Sequence, residues 1–150
     1  MFAYSARIDA INFTLNHDDG STLSHLEDAD IILIGISRTG KTPTCLYLSL
    51  HYGIRAANFP LTEDDLEELQ LPRALRDYRA KLFGLSLDPL RLQRIRQERL
   101  PNSRYASLSQ CEYETRQAEA LFRKLGLPYV ESTMKSIEEI ATTIIDMAGL

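Results

Sequence analysis

Ala29 to Leu48 read ADIILIGISRTGKTPTCLYL. Ile31-Ile32-Leu33-Ile34 is a short continuous apolar run, the pattern of a parallel strand covered on both faces. Directly behind it, Gly35-Ile36-Ser37-Arg38-Thr39-Gly40-Lys41-Thr42 fits G-x-x-x-x-G-K-[ST] at every fixed position. At average residue usage, a chain of this length meets that pattern by chance about one time in two hundred. Leu46, Leu48, Leu50 and Tyr52 then predict a helix from about Lys41 to Gly53, with Pro43 tolerated in its first turn. Strand, glycine-bounded loop and helix make one βα unit. The glycines let successive N–H groups point inward at phosphate oxygens, and the helix N-terminus adds its positive dipole end. Lys41 would neutralise phosphoryl charge, and the Thr42 hydroxyl would hold Mg²⁺.

Working outward, Ile54 to Phe59 predicts a second parallel strand closed by Pro60, and Glu63 to Gln70 a short helix with acids in its first turn. Pro72 separates it from a second short helix, Ala74 to Arg79. Leu82 to Leu87 reads as a strand, followed by Asp88-Pro89 as an N-cap with proline at the first helical position, for a helix to about Leu100. Ser107 to Leu125 predicts a long helix stopped by Gly126, and Pro128-Tyr129-Val130 a last strand. Ser136 and Glu139 form a capping box for a helix to about Ala148. On the N-terminal side, Arg7 to Leu15 alternates Ile8, Ala10 and then, after a slip, Ile11, Phe13 and Leu15, which predicts a further strand. The expected architecture is α/β, a P-loop kinase-like, mostly parallel sheet of about five strands flanked by helices, in one domain.

The chain has 150 residues, 44% hydrophobic and 25% charged, with a net charge of -4 and a pI near 5.4. This balance argues against general attraction to nucleic acid or an anionic membrane, so any anion site must be local. Cys45 and Cys111 make neither a CxxC pair nor a disulfide framework, which suggests a reducing compartment. The run Ile31 to Ile34 is too short to span a bilayer, and Met1 to Ala10 has no signal-peptide core, so the expected location is cytoplasmic.

A phosphate loop alone does not choose a reaction, and two polar clusters bear on the choice. His17-Asp18-Asp19-Gly20 could accept the proton of an attacking hydroxyl or anchor a metal, although D-D-G is also a common turn sequence. Arg91, Arg94, Arg96, Arg99 and Arg104 straddle Pro101 and suit a phosphate-closing lid, with Arg96, Arg99 and Arg104 nearest the break. Arg91 and Arg94 fit a solvated helix face equally well, Arg96, Arg99 and Arg104 less so. Asp88 is the literal candidate for a Walker-B acid, but Pro89 favours a helix cap. His25 and His51 lack ligand partners at metal spacing. Tyr47, Tyr52 and Phe59 suit the core better than a base-stacking face, and no N-K-x-D motif marks a guanine switch.

INFTLNHDDG (11–20), ADIILIGISRTGKTPTCLYL (29–48), GIRAANFPL (53–61), KLFGLSLDPLRLQRIRQERL (81–100), SRYASL (103–108) and SIEEIATTIIDMAGL (136–150) together resemble the bifunctional kinase/pyrophosphorylase family that regulates phosphoenolpyruvate synthase and pyruvate, phosphate dikinase. The resemblance runs from about Arg7 to Leu150, and NSRYASL and KLFGL lean toward the synthase regulators. It implies ADP as phosphoryl donor to a threonine of the target enzyme, which is thereby inactivated. It further implies phosphate-dependent removal of that group, with pyrophosphate released. It also implies that the target's catalytic histidine is phosphorylated when the threonine is modified. Mapped here, Gly35 to Thr42 would bind ADP or pyrophosphate, and one of His17, Asp18 and Asp19, with an aspartate preferred, would handle the proton. Arg38 is a candidate contact to the target's phosphate. Family members are near twice this length, so their N-terminal domain is expected to lie outside this sequence; an apolar face that it covers would favour a homodimer. The competing expectations are a small-molecule P-loop kinase and a non-catalytic nucleotide-binding fragment.

Overall fold

The computed structural model describes residues 2–20 and 24–150, with side chains from residue 5 onward. Its centre is a parallel four-stranded sheet of order β2-β1-β3-β4, made of β1 (Ile31–Gly35), β2 (Ala56–Pro60), β3 (Leu82–Ser86) and β4 (Tyr129–Glu131). Helices α1 (Phe2–Asn16), α2 (Lys41–Tyr52), α3 (Glu63–Glu68), α4 (Pro89–Arg99), α5 (Leu108–Leu125) and α6 (Ile137–Ala148) flank it, with a 3-10 segment at Arg73–Lys81. The continuous apolar run of β1 follows from its place inside the sheet. Ile32 and Ile34 enter one core with Leu75, Leu92, Leu121 and Phe122, while Ile31 and Leu33 enter the other with Leu48, Phe83, Leu85, Ile140 and Ile144. Alternation with a period of two thus fills both layers.

The helix ends follow local chemistry. Asp88 Oδ2 accepts from the N–H groups of Leu90 and Arg91 with Pro89 in the first turn, so Asp88 is the cap of α4. Ser136 and Glu139 close the expected capping box of α6, and Thr62 with Asp65 makes another at α3. Gly53 and Gly126 end α2 and α5 in the left-handed conformation.

The strand expected over Arg7 to Leu15 is instead the middle of α1. Its buried stripe is Ala10, Thr14 and His17, spaced i, i+4 and i+7, whereas Ile8 and Leu15 are exposed. A stripe of a small residue, a hydroxyl and an imidazole is invisible to apolar periodicity, and the alternating isoleucines and leucines that mimic a strand lie off it. The sheet accordingly has four strands. The segment around α1 covers the open side of β2: Ala56 N–H donates to Thr14 Oγ1 at 3.3 Å and Asn58 N–H to the His17 carbonyl at 3.2 Å. Among the described residues, no helix is long and apolar enough to cross a membrane.

Candidate functional site

The loop between β1 and α2 sits at the carboxyl end of the sheet. A Cβ on Gly35 would lie 2.7 Å from the Leu85 carbonyl oxygen and 3.1 Å from Thr39 Oγ1, so β1 and β3 admit only glycine there. Gly40 has φ 94°, and Arg38, at the loop tip, takes a left-handed φ of 70° without being glycine. The Ile36 carbonyl accepts from Thr39 Oγ1 at 3.0 Å and from Lys41 Nζ at 2.9 Å. Lys41 is buried, and that burial pulls its ammonium down to about 8 against the attraction of Asp19 and, more weakly, Asp18. Beneath the loop, burial pushes the Cys45 thiol up, which keeps it protonated and inert.

The 17–20 turn reaches this loop across β2. Thr42 Oγ1 donates to Asp18 Oδ1 at 2.8 Å, and Asn58 Nδ2 donates to the same oxygen at 2.7 Å. Asp19, at φ 51°, donates its N–H to Asn58 Oδ1 at 2.8 Å. Asp18, Asp19, Arg38, Lys41, Thr42 and Arg99 line one cleft of about 490 Å³, with Ser37 and Gly40 also on its wall. Two carboxylates therefore share one cleft with three cations, and the Thr42 hydroxyl with the Asp18 carboxylate forms an oxygen pair suited to a hard divalent cation.

His17 is placed differently. Its ring stacks on Phe13 at 3.9 Å, with Nδ1 2.8 Å from the Phe13 carbonyl and Nε2 2.6 Å from the Ser24 carbonyl. It braces the turn and does not line the cleft.

The arginines divide. Arg99 lines the cleft, Arg91 and Arg94 are exposed on α4, and Arg104 is exposed and paired with Glu63 at 3.3 Å. Arg96, expected in a lid, is fully buried beneath the loop. Its guanidinium meets both carboxylate oxygens of Glu114 at 3.0 Å and donates to the carbonyls of Tyr105 at 3.0 Å and Ser37 at 3.2 Å. It also lies 4.2 Å over the Tyr105 ring, whose hydroxyl is 2.7 Å from Ser37 Oγ. Burial opposes the charge of Arg96, and the hydrogen bonds and charge of Glu114 outweigh it, so its proton is held more firmly than usual.

No acid from the end of β3 reaches the loop: Asp88 is spent on its cap, and Ser86 Oγ donates to Glu119 at 2.6 Å. Tyr47 and Phe59 pack against the cores as expected, whereas Tyr52 is half exposed. His25, which the sequence left without partners, clusters with Glu27 and Asp28 on an exposed turn. Sequence reasoning missed Asn58 and Glu114. Asn58 left a readable signal, a carboxamide inside an otherwise apolar strand; Glu114 left none, because an acid on a long helix reads as solvated.

A family model described as Kinase/pyrophosphorylase matches residues 2–145. The chain belongs to this family. Among curated relatives, a protein of Shewanella amazonensis is 57% identical over 148 residues, covering 99% of this chain and 55% of the relative. One from Halorhodospira halophila is 60% identical over 147 residues, covering 98% of this chain and 54% of the relative. One from Shewanella oneidensis is 55% identical over 147 residues, with the same coverage of 98% and 54%. All three carry the name "Putative phosphoenolpyruvate synthase regulatory protein". The chain spans about half the length of the curated relatives it matches. The loop after β1 and the Asp18-Asp19 turn are brought to one cleft by β1, α2 and β2.

Proposed function

We propose that this chain carries the phosphoryl-transfer site of a regulator of phosphoenolpyruvate synthase, with pyruvate, phosphate dikinase as the alternative target. In this reading ADP phosphorylates a threonine of the target and so inactivates the target, and inorganic phosphate reverses the modification with release of pyrophosphate. The observation that carries the reading is the meeting of Asp18 and Asp19 with Lys41 and Thr42 in one cleft.

The loop amides of Gly35 to Thr42 and the N-terminus of α2 bind the diphosphate, and Lys41 exchanges the Ile36 carbonyl for a phosphoryl oxygen. Thr42 and Asp18 supply the oxygen ligands for Mg²⁺, which when bound neutralises phosphoryl charge. Asp19, which lines the cleft and attracts the Lys41 ammonium more strongly than Asp18 does, accepts the proton of the attacking threonine. The threonine oxygen bonds to the β-phosphorus, the bond from that phosphorus to the bridging oxygen breaks, and AMP leaves. In the opposite direction an oxygen of inorganic phosphate bonds to the phosphothreonine phosphorus. The phosphorus–threonine oxygen bond breaks, Asp19 returns a proton to that oxygen, and pyrophosphate departs from the loop. Positioning and charge stabilisation serve both directions, so one site suffices.

The test is transfer to histidine-phosphorylated phosphoenolpyruvate synthase, comparing β-labelled ADP with γ-labelled ATP. Threonine labelling from ADP alone is expected. Labelling from ATP would favour an ordinary P-loop kinase. No labelling with intact ADP binding would mean that transfer needs the remaining length found in the relatives.

A further inference from the structure

We propose that Asn58 is the positioning residue for both carboxylates of the cleft, setting Asp18 beside Thr42 and presenting Asp19 toward the loop; its catalytic consequence rests on the phosphoryl-transfer reading above. Asn58 lies in the middle of β2, opposite Leu33 of β1, and is buried. It holds three consecutive residues of the turn. Its N–H donates to the His17 carbonyl at 3.2 Å, its Nδ2 to Asp18 Oδ1 at 2.7 Å, and its Oδ1 accepts the Asp19 N–H at 2.8 Å.

The carboxamide fits in one orientation only. Reversed, it would set an oxygen against the Asp18 carboxylate and an NH₂ against the Asp19 N–H. A buried strand position has no room for the longer glutamine, leucine offers neither a donor nor an acceptor, and aspartate offers an acceptor where a donor is needed. The bond to the Asp19 N–H also secures a left-handed residue that is not glycine, a conformation that costs about 1 kcal/mol or more unless its surroundings impose it. Asp18 Oδ1 thus receives two donors, from Asn58 and Thr42, while the Asp19 carboxylate has no hydrogen-bonding partner among the described residues. One neutral side chain separates a metal-holding acid from a proton-handling one.

Asn58→Asp keeps the shape and the acceptor for the Asp19 N–H but removes the donor to Asp18 Oδ1 and sets a carboxylate against it. The expected result is ADP affinity without magnesium within about threefold of the parent, and at least a tenfold loss of the gain that magnesium adds. A merely structural role would instead weaken ADP binding alike with and without magnesium. The reciprocal double variant N58D/D18N restores a carboxamide–carboxylate contact, so it should regain the parent's melting temperature without regaining the magnesium effect. It also serves where the single variant fails to fold. In the ligand-free protein, hydrogen exchange should show the Asp19 amide protected in the parent and in Asn58→Asp but opened at least tenfold in Asn58→Ala, with the β1 amides unchanged. Unaltered Asp19 protection in Asn58→Ala, an unaltered magnesium response in Asn58→Asp, or a full magnesium response in the double variant would overturn the proposal. A parent that ignores ADP would refute the function reading instead, and the exchange result would still decide the role of Asn58.

Discussion

Removing the carboxylate of Glu114 strands a charge. Arg96 is fully buried, and among the described residues Glu114, itself 14% exposed, supplies its anionic partner with two contacts at 3.0 Å. In Glu114→Ala the guanidinium retains the neutral carbonyls of Ser37 and Tyr105, a long contact of 3.9 Å to Cys111 Sγ, and the Tyr105 ring. Breaking a buried pair on one side costs about 3 to 5 kcal/mol, and the partial exposure of Glu114 lets water approach, which favours the lower figure of about 3 kcal/mol. In a domain of this size, each kcal/mol shifts the melting temperature by about 2 to 4 °C, so Glu114→Ala should melt roughly 6 to 12 °C below the parent. Replacing both partners, as Arg96→Met with Glu114→Leu, removes the stranded charge and should recover at least half of that loss. The double variant also removes the donor to the Ser37 carbonyl at the loop tip, so its ADP affinity should stay low while its stability returns. Calorimetric melting and ADP titration on the three proteins read both effects. A drop under 2 °C in Glu114→Ala would refute the account, because it would mean that the Arg96 charge is compensated elsewhere.

Lys41 titrates at about 8 in the folded chain against an ordinary value of 10.5, so between those limits the unfolded chain binds more protons and folding stability rises with pH. The rise is about 3 kcal/mol at most, read from denaturant midpoints, and should vanish in Lys41→Met. ADP affinity should move the other way, falling above pH 8 as the ammonium is lost; parallel trends would contradict the assignment. Gly35→Ala drives a methyl into the Leu85 carbonyl at 2.7 Å, which should cost about 1 to 3 kcal/mol and weaken ADP binding at least tenfold by titration; a loop that tolerates it is not held between β1 and β3. Asp19→Asn should abolish transfer in both directions while leaving the ADP dissociation constant within threefold, and full activity would remove Asp19 from the proton-handling role.

Much of this architecture was legible because its signals are local. The β1 run and the loop after it are contiguous, the caps at Asp88 and Ser136 lie beside the helices they start, and Gly53 and Gly126 sit at the ends they make. The misreading of α1 has the opposite cause: its buried stripe is small and polar because it packs on a strand edge that needs hydrogen bonds, so its apolar residues trace the wrong face. Arg96 was misjudged for a related reason. An arginine beside a loop break reads as part of a phosphate-closing lid unless the acid that neutralises it can be found, and Glu114 lies on another helix. The HDDG motif could not show that its Asp18 is held by Asn58, 40 residues away in sequence.

The placement of Asp18 changes what can be varied in such a site. Here the acid meeting Thr42 is delivered by a turn that precedes β1 and is tied to the outer strand by Asn58, rather than growing from the end of β3. An acid on a central strand cannot move without disturbing both cores, whereas this turn rests on the sheet edge through a few directed hydrogen bonds and the His17 brace. The phosphate loop, by contrast, is held from below by a buried ion pair and between two strands by Gly35. Loosening the turn should therefore alter proton and metal handling while nucleotide binding persists, and loosening the loop should lose both together. That asymmetry separates the two halves of the cleft experimentally: substitutions at Asn58 and at Arg96 should fall into different classes of ADP affinity even where their losses of stability are equal.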